Sequence, residues 1–527
     1  MSKVKTAMGI YDAPQQQEQP IFYLDLLKNN IAVFGGPMTG KTTFVKTLLF
    51  RLNQNMDRKP EENTYILDFG GNIGRFGQLP SVCACFDSSN EENIKRVFKA
   101  LESRLAENAT ILGSDNFFSF ALNTSDRCPP HLTLIIENLN AFLSDDRYST
   151  YRDKLLHFCR DGLSKGLSVV ITANDVVGTN RIMSYFGQKV AFEMPADSYF
   201  EIFNAKVAKP MKIPGRGLIN LDSNIFEFQA FLPYTEEVQL DRLCLRGMKR
   251  SKSNRLIGFP DVLTPENCSQ YSTIEVKNVE HSNTVLIGLD YYEQRPIQID
   301  LSECRSIGIY GKRQFGKSNL LRLLIHGIST RGGSVRFVFL DDGRKQLWEF
   351  NCTDLGKNAE AVYFSHVEDF RDYLTENGYG GIRSVRTKNR SVPPQADAPL
   401  DITPFTVFVL QSKSLYLSME NSDVSVLMRR MIPDMIANAE AREYMFIFSD
   451  VKRINAADVQ GTFNSNISTA FLLDNIGEFV SDKGSKSVFG EMDAKELKVE
   501  YAKCSIGDGY YFDVESDILL KMKIIKA

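Results

Sequence analysis

The sequence predicts an α/β protein of two modules in tandem, each a mostly parallel sheet flanked by helices. Three observations carry this prediction. At 527 residues the chain exceeds one ordinary domain and suits two of roughly 200 to 290. A strand, a glycine loop and a helix start occur twice, at Asn29-Asn-Ile-Ala-Val-Phe-Gly35 to Thr43 and at Ser306-Ile-Gly-Ile-Tyr-Gly311 to Ser318. Continuous apolar runs such as Leu134-Ile-Ile and Val169-Val-Ile belong to strands buried on both faces, as in a parallel sheet.

Both loops read GxxxxGK[ST], and their lysines, Lys41 and Lys317, lie 276 positions apart. Other landmarks keep that register. Tyr65-Ile-Leu-Asp68 is echoed by Phe337-Val-Phe-Leu-Asp341, and Leu132-Thr-Leu-Ile-Ile-Glu137 by Thr406-Val-Phe-Val-Leu-Gln411. Ser168 to Asn174 is echoed by Tyr444 to Ser449, and Gly215-Arg-Gly217 by Gly507-Asp-Gly509. The approach to each loop also agrees, Gly9-Ile-Tyr-Asp with Pro20-Ile against Gly288-Leu-Asp with Pro296-Ile. One module has been duplicated. Amphipathic stretches such as Asn93 to Leu105 supply the covering helices. The joint is expected near Pro233 to Ser253, with modules at 1–235 and 236–527, and Thr387 to Ala398 reads as a surface loop.

Composition narrows the function classes. The formal net charge of −3 lacks the basic excess of a domain that tracks a nucleic-acid backbone, so nucleic acid is not the expected partner, although a local basic stripe would not show in the total. Nine cysteines, an odd number with no CxxC, point to free thiols in a reducing compartment. The five histidines are too far apart for ligand spacing. No run of 18 apolar residues and no signal-peptide core occur, so the expectation is a soluble cytosolic chain, alone or as part of something larger.

The loops carry the chemistry. Glycines let backbone N–H groups turn around a phosphate at a helix N-terminus. The candidate cradle of the first module is Gly35, Gly36, Pro37, Met38, Thr39, Gly40, Lys41, Thr42 and Thr43. That of the second is Gly311, Lys312, Arg313, Gln314, Phe315, Gly316, Lys317 and Ser318. In such loops the lysine reaches the β- and γ-phosphates and the hydroxyl at Thr42 or Ser318 can ligate Mg²⁺. The alternative is a tight strand-to-helix turn without a ligand, and it weighs more on the bulky, basic second loop.

Hydrolysis also requires a metal-holding acid and a group that activates water. Glu137 stands at the metal position, and Asn138, which cannot take a proton from water, stands at the catalytic-acid position. In the second module Gln411-Ser412 lacks both acids. The expectation is ATP binding with weak or no turnover in the first module, and weaker binding in the second. Glu137 could instead be a strand-end acid with no metal. Asp68 and Asp341 are either substitute acids or, more commonly for strand ends, caps of a neighbouring segment. Asn174 either senses the γ-phosphate or satisfies a strand end. Arg181 and Arg216 either reach a nucleotide in a neighbouring module or are solvated surface.

The run Gly9-Ile-Tyr-Asp-Ala-Pro-Gln-Gln-Gln-Glu-Gln-Pro-Ile, the first loop, Leu67-Asp-Phe-Gly-Gly, Leu79-Pro, Glu137-Asn and Pro214-Gly-Arg-Gly together resemble the FtsK/SpoIIIE-type ATPases. More narrowly, nearly the whole chain is similar to the C-terminal second and third ATPase modules of the EssC/EccC motor proteins of type VII secretion. The resemblance implies two tandem P-loop NTPase domains of RecA/FtsK-like fold that use ATP and Mg²⁺. It implies an upstream ATPase module that supplies most of the hydrolysis and a part anchored in the bacterial plasma membrane, with this portion on the cytoplasmic side. It also implies export of small WXG-motif proteins recognised through a C-terminal signal. Whether the chain forms an oligomer is left open. The family's catalytic glutamate has no match at Asn138. A DNA translocase of the same fold class and a nucleotide-stabilised assembly scaffold stand as alternatives.

Overall fold

A computed structural model of the chain describes residues 5–54, 63–89, 91–123, 128–222, 224–248, 255–260, 262–268, 283–292, 294–312, 314–331, 333–341, 345, 347–352, 355, 358–379, 405–411, 431–439, 443–451, 467–474 and 504–527. It divides into two compact units, Met1–Gly258 and Phe259–Ala527. The expected surface loop at 387–398, residues 249–253 of the expected joint, Arg313 and Ser412 lie outside the described residues.

The first unit has ten strands: β1 (Lys5–Tyr11), β2 (Ile21–Asp25), β3 (Ile31–Phe34), β4 (Thr64–Asp68), β5 (Val82–Asp87), β6 (Leu132–Glu137), β7 (Leu167–Ala173), β8 (Gln188–Ala191), β9 (Arg216–Leu221) and β10 (Asn224–Ala230). Its helices are α1 (Lys41–Gln54), α2 (Glu91–Leu112), α3 (Phe117–Asn123), α4 (Leu139–Ser144), α5 (Ser149–Asp161), α6 (Ala196–Phe203) and α7 (Glu237–Met248). The sheet order is β2-β1-β10-β9-β8-β3-β7-β6-β4-β5. The six strands from β8 to β5 run parallel, and the four from β2 to β9 form an antiparallel wing.

The second unit repeats this plan. Its strands are β11 (Thr284–Asp290), β12 (Pro296–Asp300), β13 (Ser306–Gly311), β14 (Val335–Leu340), β15 (Ala359–Phe364), β16 (Phe405–Gln411), β17 (Tyr444–Val451), β18 (Thr469–Leu473), β19 (Asp508–Asp513) and β20 (Ile518–Ile524), and its helices α8 (Pro265–Cys268), α9 (Lys317–Ser329), α10 (Trp348–Cys352) and α11 (Val367–Glu376). The order β12-β11-β20-β19-β18-β13-β17-β16-β14-β15 is the first order with every strand number raised by ten. Even an irregularity recurs: β1 slips register between Ala7 and Gly9, and β11 between Leu286 and Gly288.

The continuous apolar runs have a direct cause. Each central strand lies between two cores, and successive side chains alternate between them. β3 sends Ala32 and Phe34 to one core and Ile31 and Val33 to the other. β6 sends Leu132, Leu134 and Ile136 to the first and Ile135 to the second. Ile94, Val97, Phe98, Leu101 and Leu105 of α2 cover one face, and Phe44, Val45, Leu48, Leu49 and Leu52 of α1 cover the other. In the second unit α9 and α11 cover opposite faces in the same way, through Leu320, Leu324 and Ile328 and through Phe370 and Leu374. Among the described residues, no helix is long and apolar enough to cross a membrane.

The division falls at 258/259, past the 235/236 junction expected from the sequence. The reason is packing. Leu240, Leu243 and Cys244 of α7 are buried in the first unit's core, and Arg75 pairs with Glu237 (3.3 Å) and Asp241. Beyond α7 the chain stays bound to the same unit: Arg255 donates to the Leu79 carbonyl (2.8 Å), Leu256 N–H to Cys83 O (2.8 Å), and the buried Arg96 to Ile257 O (2.9 Å).

His131, just before β6, is buried beside Phe117, ring centroids 5.7 Å apart. Burial lowers its pKa from 6.5 to about 4. Above pH 6.5 the imidazole is neutral in folded and unfolded chains alike. As pH falls from 6.5 towards 4, the unfolded chain takes up a proton that the folded chain does not, so stability is lost on acidification. Between pH 7.5 and pH 5 this linkage removes about 2 kcal/mol from the first unit. Chemical denaturation of the full chain and of His131→Gln at both pH values checks this, with the variant's pH dependence reduced by that amount.

Candidate functional site

The first loop joins the C-terminal end of β3 to the N-terminus of α1, and both neighbouring strands hold it. Gly35 N–H donates to Ala173 O at the end of β7 (3.3 Å), and Gly36 N–H to Glu193 O just beyond β8 (2.8 Å). Thr39 Oγ1 donates to Gly36 O (2.9 Å) and closes the loop on itself, while Gly215 N–H reaches Thr39 O from outside (3.1 Å). Met38 (φ 61°) and Gly40 (φ 113°) are left-handed. A Cβ on Gly40 would meet Gly215 N at 3.1 Å, so conformation and contact both require glycine there. Pro37 lies beside Met38, which is 98% exposed at the tip.

Lys41 and Thr42 begin α1. The buried Lys41 ammonium donates to the carbonyls of Gly35 and Gly36, the latter at 2.8 Å, and so lies within the loop. Burial lowers its pKa, and the charge of Glu137 opposes that shift. Thr42 Oγ1 donates to Glu137 Oε1 at 2.6 Å. Burial raises the pKa of Glu137, and the Thr42 hydrogen bond and Lys41 pull it down. Thr43, next along α1, is exposed.

This donor set suits the groups the loop motif implies. An ammonium and a glycine turn at a helix N-terminus are complementary to phosphate oxygens. Among the described residues no three His, Cys, Asp or Glu converge as a metal cluster. A hydroxyl beside one carboxylate is nevertheless what magnesium uses when phosphates and water complete its shell.

The other candidates divide. Asp68 pairs with Glu137 across β4 and β6, but its carboxylate accepts from Asn72 N (3.2 Å) and Ile73 N (2.7 Å). It caps the following turn. Asp341 does the same for Leu347 N (2.8 Å) and also accepts from Tyr363 Oη (2.8 Å). Asn174 is exposed just past β7, and its N–H donates to Asn140 Oδ1 (2.8 Å). Arg181 is exposed. Arg216 is engaged inside its own module, with Asp12 at 3.2 Å and Glu227 at 3.7 Å.

In the second loop, Gly311 (φ 141°), Gln314 (φ 66°) and Gly316 (φ 102°) adopt positive φ, matching Gly35, Met38 and Gly40 by position. Lys317 Nζ folds onto Gly311 O (2.9 Å) and Lys312 O (2.7 Å), as Lys41 does. Phe315 packs partly against the core and Ser318 is exposed. Gln411 is buried at the end of β16, where the first module has Glu137, and brings an amide in place of a carboxylate.

Sequence reasoning did not anticipate three features. Asn138 is left-handed (φ 62°, ψ 65°), with its N–H donating to Thr172 Oγ1 at 2.8 Å. Gly215 touches the loop tip. Glu193, beyond β8, gathers Lys209 (3.3 Å) and Lys212 (3.8 Å) beside the loop. Of these, the repeat of Gly215-Arg-Gly217 as Gly507-Asp-Gly509 was the signal available in advance.

Fold and loops together define a pair of P-loop NTPase-fold modules in tandem. No family model matches the chain. The ESX secretion system protein EccC of Thermomonospora curvata is 24% identical over 364 residues, which is 66% of this chain and 27% of that protein. The solved structure of EssC (ATPases 2 and 3) from Geobacillus thermodenitrificans aligns with a TM-score of 0.70 at 19% identity, covering 99% of this chain and 96% of that one. Thermomonospora curvata EccC (ATPases 2 and 3) in complex with a signal sequence peptide aligns at 0.55, with 20% identity over 100% and 93% of the two chains. The chain is thus similar over nearly its full length to the second and third ATPases of EssC and EccC, and it spans about a quarter of the length of the curated relatives it matches.

The left-handed backbone at 138 has a measurable consequence. Asparagine tolerates that conformation and glycine does so freely, whereas a glutamate pays about 1 kcal/mol. Asn138→Glu is expected to lower the unfolding free energy by about that amount and Asn138→Gly to leave it within about 0.5 kcal/mol, measured by denaturant titration of the full chain.

Proposed function

We propose that this chain is the nucleotide-holding portion of a type VII protein-secretion motor. In this reading the first module binds ATP with Mg²⁺ and turns it over slowly or not at all, and the second binds nucleotide more weakly. One observation carries the proposal: Lys41, Thr42 and Glu137 converge, with Thr42 2.6 Å from Glu137, while the adjacent catalytic-acid position is Asn138.

Each residue has a task. Lys41 exchanges two loop carbonyls for phosphate oxygens. Thr42 and Glu137 hold the divalent cation, which would neutralise phosphate charge when bound. Asn138 has no basic group with which to activate water, and its backbone is committed to a conformation that disfavours glutamate. Gln411 offers the second module no carboxylate for a metal.

The likeness to EssC and EccC supports the wider assignment. The chain works on the cytoplasmic side of the bacterial plasma membrane, joined or bound to an upstream ATPase module and a membrane part. It takes up the C-terminal signal of small secreted proteins of the WXG type, a reading supported by the EccC neighbour solved with a signal sequence peptide. The missing acids also favour a second reading, in which nucleotide acts as a structural ligand of an assembly scaffold.

Ligand linkage provides the test. At a free ATP concentration about 100 times Kd, ATP with Mg²⁺ stabilises the first unit of the parent chain by about 2.7 kcal/mol. Lys41→Ala abolishes that gain and Glu137→Gln abolishes its dependence on Mg²⁺, both read from melting with and without ligand. Equal stabilisation of Lys41→Ala and parent overturns the site, and rapid steady turnover by the parent overturns the claim of slow hydrolysis.

A further inference from the structure

The two modules place an acid at the same point beside their loops and use it differently. Glu193 lies two residues beyond Ala191, which pairs with Phe34, and Asp474 lies two residues beyond Leu472, which pairs with Tyr310. In the first module the acid pairs with Lys209 and Lys212, and the loop position bonded to its backbone is Gly36, which has no side chain. In the second module that loop position is Lys312. Its Nζ lies 3.1 Å from Asp474 Oδ1, its N–H donates to Leu473 O (3.2 Å), and its carbonyl accepts from Lys317 (2.7 Å). The Asp474 side chain is only 12% exposed.

We propose that Asp474 is a built-in competitor for the anion site of the second loop, which takes up polyphosphate only by displacing this carboxylate from Lys312. The proposal rests on reading these loops as phosphate cradles. A loop that attracts a polyphosphate with two lysines and N–H groups gains its selectivity from net positive charge. A largely buried carboxylate paired with one of those lysines cancels part of that charge at short range, where salt screens it less than on the open surface. In the first module the corresponding acid, Glu193, pairs with Lys209 and Lys212, and Gly36 at the position of Lys312 offers it no cation. The second module is therefore weakened twice, by the amide at Gln411 and by the carboxylate at Asp474, and the second cause is independent of the metal.

The test uses the full chain carrying Lys41→Ala, so that the first module is silent, and measures binding of ATP and of inorganic triphosphate by calorimetry without added Mg²⁺. Adding Asp474→Asn is expected to tighten triphosphate binding about fivefold or more, and further addition of Lys317→Ala is expected to remove the gain. Asp474→Ser, which also removes the charge, gives the same result if the amide variant does not fold. Unchanged affinity in a folded charge-removing variant overturns the proposal, as does a gain that survives Lys317→Ala. Failure of the nucleotide-binding reading is separately visible, because Lys41→Ala alone would then bind ATP as the parent does.

Discussion

Everything in each module depends on one constraint: the strand that delivers the loop must have a parallel neighbour on both sides. β3 lies between β7 and β8, and the first two loop residues donate to the carbonyl ends of those neighbours, Gly35 to Ala173 and Gly36 to Glu193. The loop therefore leaves the sheet with its backbone already oriented, and the lysine at the helix start folds back onto its carbonyls. β7 also separates the loop strand from β6. The acid at the end of β6 consequently meets the second helical residue, Thr42, and not the loop itself.

What was legible in the sequence follows from that constraint. A strand with two cores is covered on both faces and is therefore mostly apolar, so β3, β4, β6, β7 and their copies stood out as apolar runs. β8, Gln188 to Ala191, is only four residues long and half polar, and β5 contains Cys83-Ala-Cys85. Neither carries a periodic signal, and both are strands because a parallel edge is already present to receive them. The antiparallel wing was visible only as landmarks, and α7 was placed with the second module because its attachment through Leu240 and Arg75 to the segment near Phe76 is tertiary.

The loops were legible as motifs, but their conformation was not. Nothing in the residue types Met38 and Gln314 announces a left-handed backbone, yet both copies place one there. The same holds for Asn138, whose residue type read as the loss of an acid and whose backbone adds a conformational preference against regaining it. Asp68 and Asp341 were open between two roles, and their hydrogen bonds to Ile73 N and Leu347 N resolve both as caps.

The duplicated plan separates what the fold needs from what the chemistry needs. Backbone features survive in both copies: strand order, the slip before Gly9 and Gly288, the positive φ of Gly215 and Gly507, and the back-bonded lysine. Side-chain charge survives only in part: the loop lysines and the caps Asp68 and Asp341 are kept, and other charges change. Arg216, paired with Asp12, gives way to Asp508, paired with Lys523 at 3.0 Å and buried. Glu137 gives way to Gln411, and a glycine beside the loop acid gives way to a lysine that the acid captures. A buried pair such as Lys523–Asp508 contributes little net stability but is costly to break singly. The second module therefore keeps the geometry of a phosphate loop while its charges are satisfied internally. That is the arrangement expected of a domain held for its shape and its surfaces more than for splitting a bond.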